Sequence, residues 1–211
     1  MTAPTTPLRL HRFALSGHAH RVELFLSLLG LPAELVDVDL KGGEQKTPGF
    51  LAMNPFGQVP VLEDGDVVIS DSTAILIYLA SKYSVENTWL PRDPVQAAEV
   101  QRWLSVASGQ LMQGPAAARM VTLFGAPFDH ARAKQIAAQL YVVLEAHLES
   151  RAFLVGMKPT IADIALYSYT AHAPEGGVSL EPYPNIRAWL ARIEALPGFT
   201  GMPRSALPVA A

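Results

Sequence analysis

Ser16 stands where an alternating stretch, Leu8 to Phe13, gives way to helical spacing. A serine at such a junction caps the helix by accepting a backbone N–H. Its hydroxyl also sits beside free amides at the positive end of the helix dipole, a setting that favours an anion. Asp71-Ser72 repeats the arrangement before a second helical pattern. It reads as a cap, and equally as a place for a carboxylate ligand. Gln45 and Lys46 end a polar run from Lys41, where solvent exposure is the plain reading and Lys46 brings positive charge. Val59-Pro60 reads as the start of a strand. Met112, Met120 and Phe124 suit either a pocket for varied apolar ligands or the core. His18 and His20 raise the question of a metal, but positions i and i+2 of a helix do not share a face. The 211 residues include no cysteine, so any thiol chemistry must come from a ligand.

The elements that position these residues follow from periodicity. Leu8 to Phe13 alternates as a strand does, and Val22, Phe25, Leu26 and Leu29 follow helical spacing up to Gly30. Leu35 to Leu40 alternates again, completing a βαβ unit. A short helix after Thr47-Pro48 stops at Asn54-Pro55. Val59 to Leu62 and Val67 to Ile69 flank Glu63-Asp64-Gly65-Asp66, a hairpin signal. A helix carrying Ile75, Tyr78 and Leu79 then runs to Tyr83. Residues 84–93 lack periodicity and read as a linker between a first domain, 8–83, and a second, 94–203. The second reads as wholly helical. Val100, Trp103, Leu104, Ala107 and Leu111 share one face, as do Ala133, Ile136, Ala137, Leu140 and Leu144. Thr160 caps another helix, and Ile186, Trp189, Leu190 and Ile193 mark the last. This predicts a four-stranded mixed sheet before the linker and only helices after it. The first two strands should be parallel, because a helix joins them, and the last two antiparallel.

Half the residues are hydrophobic and the net charge is −3, which supports a real core and argues against nucleic acid or an anionic membrane as main partner. No apolar run reaches the roughly 20 residues of a membrane helix, and the first seven residues lack a secretory pattern. A cytoplasmic protein with flexible ends, up to Pro7 and from about Pro203, is expected.

Two segments, Asn54-Pro55-Phe56-Gly57-Gln58-Val59-Pro60 with Asp71-Ser72-Thr73-Ala74-Ile75, and Pro159-Thr160-Ile161-Ala162-Asp163, resemble the soluble glutathione transferases. The order of elements agrees over about residues 8–200, and Ser16 to Val22 is most similar to the serine-type branch, phi and related bacterial classes. The resemblance implies an α/β thioredoxin-like domain (βαβ-α-ββα) followed by an all-α domain. It implies conjugation of glutathione thiolate to small hydrophobic electrophiles, with glutathione as co-substrate, no other cofactor, no metal, and a homodimer serving detoxification. Ser16 becomes the hydroxyl that activates the thiol. Val59, before a cis Pro60, pairs with the cysteinyl backbone. Asp71 and Ser72 hold the γ-glutamyl end, with Asp71 one carbon shorter than the family's usual glutamate. Gln45 and Lys46 hold the glycine carboxylate, with Gln45 where that branch often has histidine. Thr160 and Asp163 form a capping box that serves folding. Met112, Met120 and Phe124 line the second-substrate pocket. The rival readings are a glutathione-dependent peroxidase or disulfide reductase on the same site, and a non-catalytic binding or scaffold module.

Overall fold

The structure, a computed structural model, describes residues 7–84 and 88–205. β1 (Leu8–Arg12) buries Leu8 and Leu10, α1 (Gly17–Leu28) packs Val22, Phe25 and Leu26 inward, and β2 (Ala33–Asp37) returns parallel to β1. A single 3₁₀ turn, Glu44–Lys46, precedes α2 (Pro48–Met53), which Thr47 caps. β3 (Val61–Asp64) and β4 (Val67–Ser70) form the antiparallel hairpin, and α3 (Ser72–Tyr83) follows at once. The sheet order is β2-β1-β3-β4, with β1 and β3 antiparallel. This is the thioredoxin-like βαβ-α-ββα arrangement.

Two boundaries differ from the sequence reading for physical reasons. β2 begins at Ala33 and leaves its ladder after Asp37. Val38 and Leu40, which carried the alternation, instead turn inward onto a small cluster with Phe50 and Val61. In the hairpin, Asp64 pairs with Val67, so the turn is Gly65-Asp66 alone, with Gly65 at φ 60°. The Asp64 carboxylate accepts from Tyr78, Lys82 and Tyr83, tying the hairpin to α3.

Ser84 and residues 88–93 form neither helix nor strand, while 85–87 of the proposed linker lie outside the described residues. So do residues 1–6 and 206–211 of the expected flexible ends. The rest is helical among the described residues: α4 (Pro94–Ser108), α5 (Ala117–Phe124), α6 (His130–Leu148), α7 (Ile161–Ala171) and α8 (Pro184–Glu194). A π-helical turn, Met112–Ala116, joins α4 to α5 and contains Pro115, whose missing N–H interrupts regular helical bonding.

One hydrophobic cluster runs through both halves, from Leu10, Phe25 and Leu76 to Trp103, Ile164 and Trp189. At its centre α1 lies on α7. A Cβ built on Gly17 would come within 2.7 Å of the Tyr169 ring, so only glycine permits this approach. His20 faces Ser168 at 2.8 Å and the Thr200 carbonyl at 3.1 Å. α7 is fixed at its start by Asp163, fully buried. Its carboxylate accepts from the amides of Thr160 and Leu154 and from the Trp189 indole, at 2.8, 2.9 and 2.9 Å. The expected capping box is therefore present, and Asp163 also joins α7 to the preceding loop and to α8.

Candidate functional site

A cleft of about 1340 Å³ opens between the two halves. That exceeds the usual range for one drug-sized ligand and gives room for two molecules side by side. Ser16, Gln45, Val59, Pro60, Asp71, Ser72, Met112, Met120 and Phe124 all line it. Lys46 does not. Its ammonium turns into the wall and donates to the carbonyls of Phe56 and Gly57 at 3.2 and 3.3 Å, bracing the loop before Val59. Lys41 is the lysine on the lining.

Each polar group is placed by its local fold. Ser16 is the N-cap of α1 in extended conformation (φ −84°, ψ 115°), and its oxygen accepts from the Ala19 amide at 3.3 Å. That leaves the serine proton free and the Gly17 and His18 amides without intrahelical partners. The Asn54 side chain braces the loop from 54 to 60, donating to the Gln58 carbonyl at 2.7 Å and accepting from the Phe56 amide at 3.1 Å. The Val59-Pro60 bond is cis, and the ladder begins only at Val61, so Val59 lies beyond it. Gln45 donates to the Leu40 carbonyl, while its own amide oxygen is buried without a partner.

Asp71 caps α3 from φ 73°, ψ 124°, a region that non-glycine residues adopt at a cost and that is concentrated at functional sites. One carboxylate oxygen accepts from the amides of Thr73 and Ala74, both at 2.9 Å, and from the Thr73 hydroxyl. Burial alone would raise this carboxyl, but those donors hold it below the usual carboxylate range.

Behind Ser72 lie two residues to which the sequence reading gave no site role. Arg21, fully buried, donates to the Ser72 hydroxyl at 3.2 Å. Its Nε and Nη2 have no partner. Burial lowers its pKa to about 10, so it stays cationic at neutral pH, beneath a helix N-terminus. His18 bridges Ser72 Oγ at 3.2 Å and Met112 Sδ at 3.3 Å. Burial, then the Arg21 charge, push its pKa down to about 3, so it is neutral. Thioether sulfur only accepts, so Nε2 carries the proton and Nδ1 accepts from the Ser72 hydroxyl. His18 and His20 point to different partners. Among the described residues no three His, Asp or Glu side chains are grouped as metal ligands.

The facing wall is built from the π turn and α5. Met112, Met120, Leu123 and Phe124 line it; Phe124 is exposed, and the others are half-buried. These residues line the cleft, and Met112 also packs against the core. Gly114 packs so closely that a Cβ would come within 2.8 Å of the Ala137 amide nitrogen, which fixes the turn against α6. Arg119 is buried, ion-paired with Glu175, and donates to the Leu15 carbonyl at 2.7 Å. It thereby links α5 to the residue preceding Ser16. Spacing along the chain gives no sign of this pairing across 104 positions.

The comparisons with known proteins agree with this geometry. Residues 15–82 match the family model described as glutathione S-transferase, N-terminal domain. Residues 127–197 match glutathione S-transferase, C-terminal domain. The chain belongs to the glutathione S-transferase family. It is 40% identical to glutathione S-transferase 3 of Zea mays, covering 92% of this chain and 91% of that one. Among solved structures it is similar to a glutathione S-transferase from Pseudomonas fluorescens (TM-score 0.86, 34% identity, 93% and 99% covered). It is also similar to a glutathione transferase homolog from Drosophila mojavensis with bound glutathione (TM-score 0.82, 31% identity, 90% and 89% covered). The N-terminal match spans Ser16, Val59-Pro60 and Asp71-Ser72. Met112, Arg119, Met120 and Phe124 fall between the two matched segments.

Proposed function

We propose that this protein conjugates glutathione to small hydrophobic electrophiles, as a serine-type transferase. The observation that carries this reading is the concentration of unspent donors and positive charge along one wall of the cleft. They comprise the Ser16 proton, the Gly17 amide at the start of α1, and the buried Arg21 cation behind Ser72. A thiolate is stabilised by hydrogen-bond donors and by a helix N-terminus. Ser16 therefore receives the sulfur. Ser72, with Arg21 behind it, receives the γ-glutamyl carboxylate, and the free carboxylate oxygen of Asp71 meets the ammonium. Val59 pairs with the cysteinyl backbone as one strand edge pairs with another. Gln45 meets the glycine carboxylate. Lys46 supports that end from behind, with the one proton its two carbonyl bonds leave. The electrophile lies on Met112, Met120 and Phe124. The protein contributes orientation and a lowered thiol pKa, and the reaction so read calls for no metal.

Residues 8–83 act as the glutathione-binding domain and 94–203 as the second-substrate domain. The edge strand β4 and helix α3 leave Val67, Val68 and Ile77 exposed, and Phe56 is 77% exposed. A second copy of the chain would cover this apolar surface, so we read the protein as a homodimer, active in the cytoplasm in detoxification. Among the described residues no helix is long and apolar enough to cross a membrane.

Calorimetric titration with glutathione, followed by turnover assays with an activated aryl halide, an organic hydroperoxide and a mixed disulfide, tests the reading. Saturable binding with fastest turnover of the aryl halide is expected. Dominant peroxide or disulfide turnover would assign the peroxidase or reductase activity instead, and no binding would leave a scaffold.

A further inference from the structure

Ser16 can serve a ligand only if its single proton points into the cleft. A hydroxyl has one proton and two acceptor lone pairs, and one lone pair is already taken by the Ala19 amide. What fills the other decides where the proton goes. The candidate is Tyr169, from α7 in the other half of the chain. Its ring lies flat on Gly17, with Cε1 and Cζ 2.7 and 2.8 Å from a Cβ built there. It meets the His18 ring edge-on at 5.2 Å between centroids and lines the cleft. With Cζ against Gly17, its phenol end sits at the turn between Ser16 and His18, and both Ser16 and Tyr169 line the cleft. No closed hydrogen bond joins the phenol to Ser16 or to the His18 amide in this structure.

We propose that Tyr169 is a positioning residue for Ser16. Its O–H donates to Ser16 Oγ, fills the second lone pair and turns the serine proton toward the ligand sulfur. The His18 amide donates to the phenol in turn, so the chain runs from the free end of α1 through Tyr169 and Ser16 to the thiolate. Hydrogen bonds in such a chain polarise one another. The phenol stays protonated for this task. Burial raises its pKa, although the Arg21 and Arg119 charges, the His18 amide and the Ser16 hydroxyl pull the other way. Arg21 lies 5.9 Å from the ring centroid, Arg119 is neutralised by Glu175, and the neutral His18 adds no charge. The inference rests on the proposed role of Ser16. It adds that the helical half sets the direction of that hydroxyl.

The test is a four-member cycle: wild type, Tyr169→Phe, Ser16→Ala and the double variant. Glutathione isotope-labelled at the cysteine β-carbon is titrated by NMR while bound to each, with melting temperatures alongside. Tyr169→Phe keeps the ring on Gly17, so its melting temperature should match wild type. It should raise the bound-thiol pKa enough to cut the thiolate fraction near neutral pH about threefold. In the Ser16→Ala background it should change nothing further. A wild-type titration for Tyr169→Phe, or an equal shift in both backgrounds, overturns the proposal. A wild-type titration for Ser16→Ala alone would remove the underlying role of Ser16, and the proposal with it.

Discussion

The two walls of the cleft are made by different means. The first, from β1–α1, the loop before β3 and the start of α3, works through backbone and short polar side chains at helix N-termini. Ser16 and Asp71 are each fixed by hydrogen bonds to amides two or three residues on. The second, from the π turn and α5, offers Met112, Met120, Leu123 and Phe124, flexible or exposed side chains with few polar anchors. A rigid polar wall suits one invariant ligand, and a soft apolar wall suits many. The matched family segments agree, since Ser16, Gln45, Val59 and Asp71-Ser72 lie inside the N-terminal match and the second wall lies between the two matches.

This contrast can be broken in graded ways. The largest effect should come from the scaffold under both walls. Asp163→Ala leaves the amides of Leu154 and Thr160 and the Trp189 indole unpaired in the core, at a cost of about 3 kcal/mol or more. Thr160→Ala, losing only a cap, should cost about 1 kcal/mol. Denaturant unfolding measures both, and activity per folded molecule should hardly change in either. Equal, negligible shifts would contradict the role of Asp163 as a junction.

Ser72→Ala comes next. It removes the hydroxyl that holds Arg21 and His18 behind the γ-glutamyl site and leaves Arg21 Nη1 without its partner, so the glutathione dissociation constant should rise about tenfold. The rate at saturation should change less, because the contact is remote from sulfur and present in ground and transition states alike. Met120→Ala should be smaller and of opposite kind, with KM for apolar electrophiles altered a few-fold and glutathione affinity unchanged. If glutathione affinity also fell, the division between the walls would not hold. The smallest effect concerns acid. Asp71 has a folded pKa below its unfolded value, so its contribution is complete above pH about 4 and is lost as pH falls toward the folded pKa. Asp71→Asn, which preserves the cap, should flatten acid unfolding below pH about 4, as followed by circular dichroism.

Much of the first wall was legible in the sequence because its information is local. Caps, the Asn-Pro break, the Asp-Gly hairpin and the run from Asn54 to Pro60 are short patterns whose geometry follows from neighbouring residues. The second wall was legible only as a choice between pocket and core, since spacing cannot tell which face of a helix meets a cleft. Lys46 was read by its charge, yet its reach to the carbonyls of Phe56 and Gly57 depends on how two loops fold back. Arg21, His18, Arg119 and Tyr169 were missed as site residues for the same reason. The partners of Arg21, His18 and Arg119 lie 51 to 104 positions away, and Gly17 lies farther still from Tyr169; periodicity carries no such distance.

The central claim is that the first wall lowers the thiol pKa through Ser16. A free thiol has a pKa near ~8.5, and about 1.4 kcal/mol from one charge-assisted hydrogen bond corresponds to one pKa unit. Ultraviolet absorbance of bound glutathione thiolate against pH, in wild type and Ser16→Ala, measures it directly. The account predicts a wild-type midpoint roughly one to two pH units below that of free glutathione. Most of that difference should be lost in Ser16→Ala, which still binds the tripeptide. Superimposable titrations would contradict it and leave Ser16 as the cap of α1.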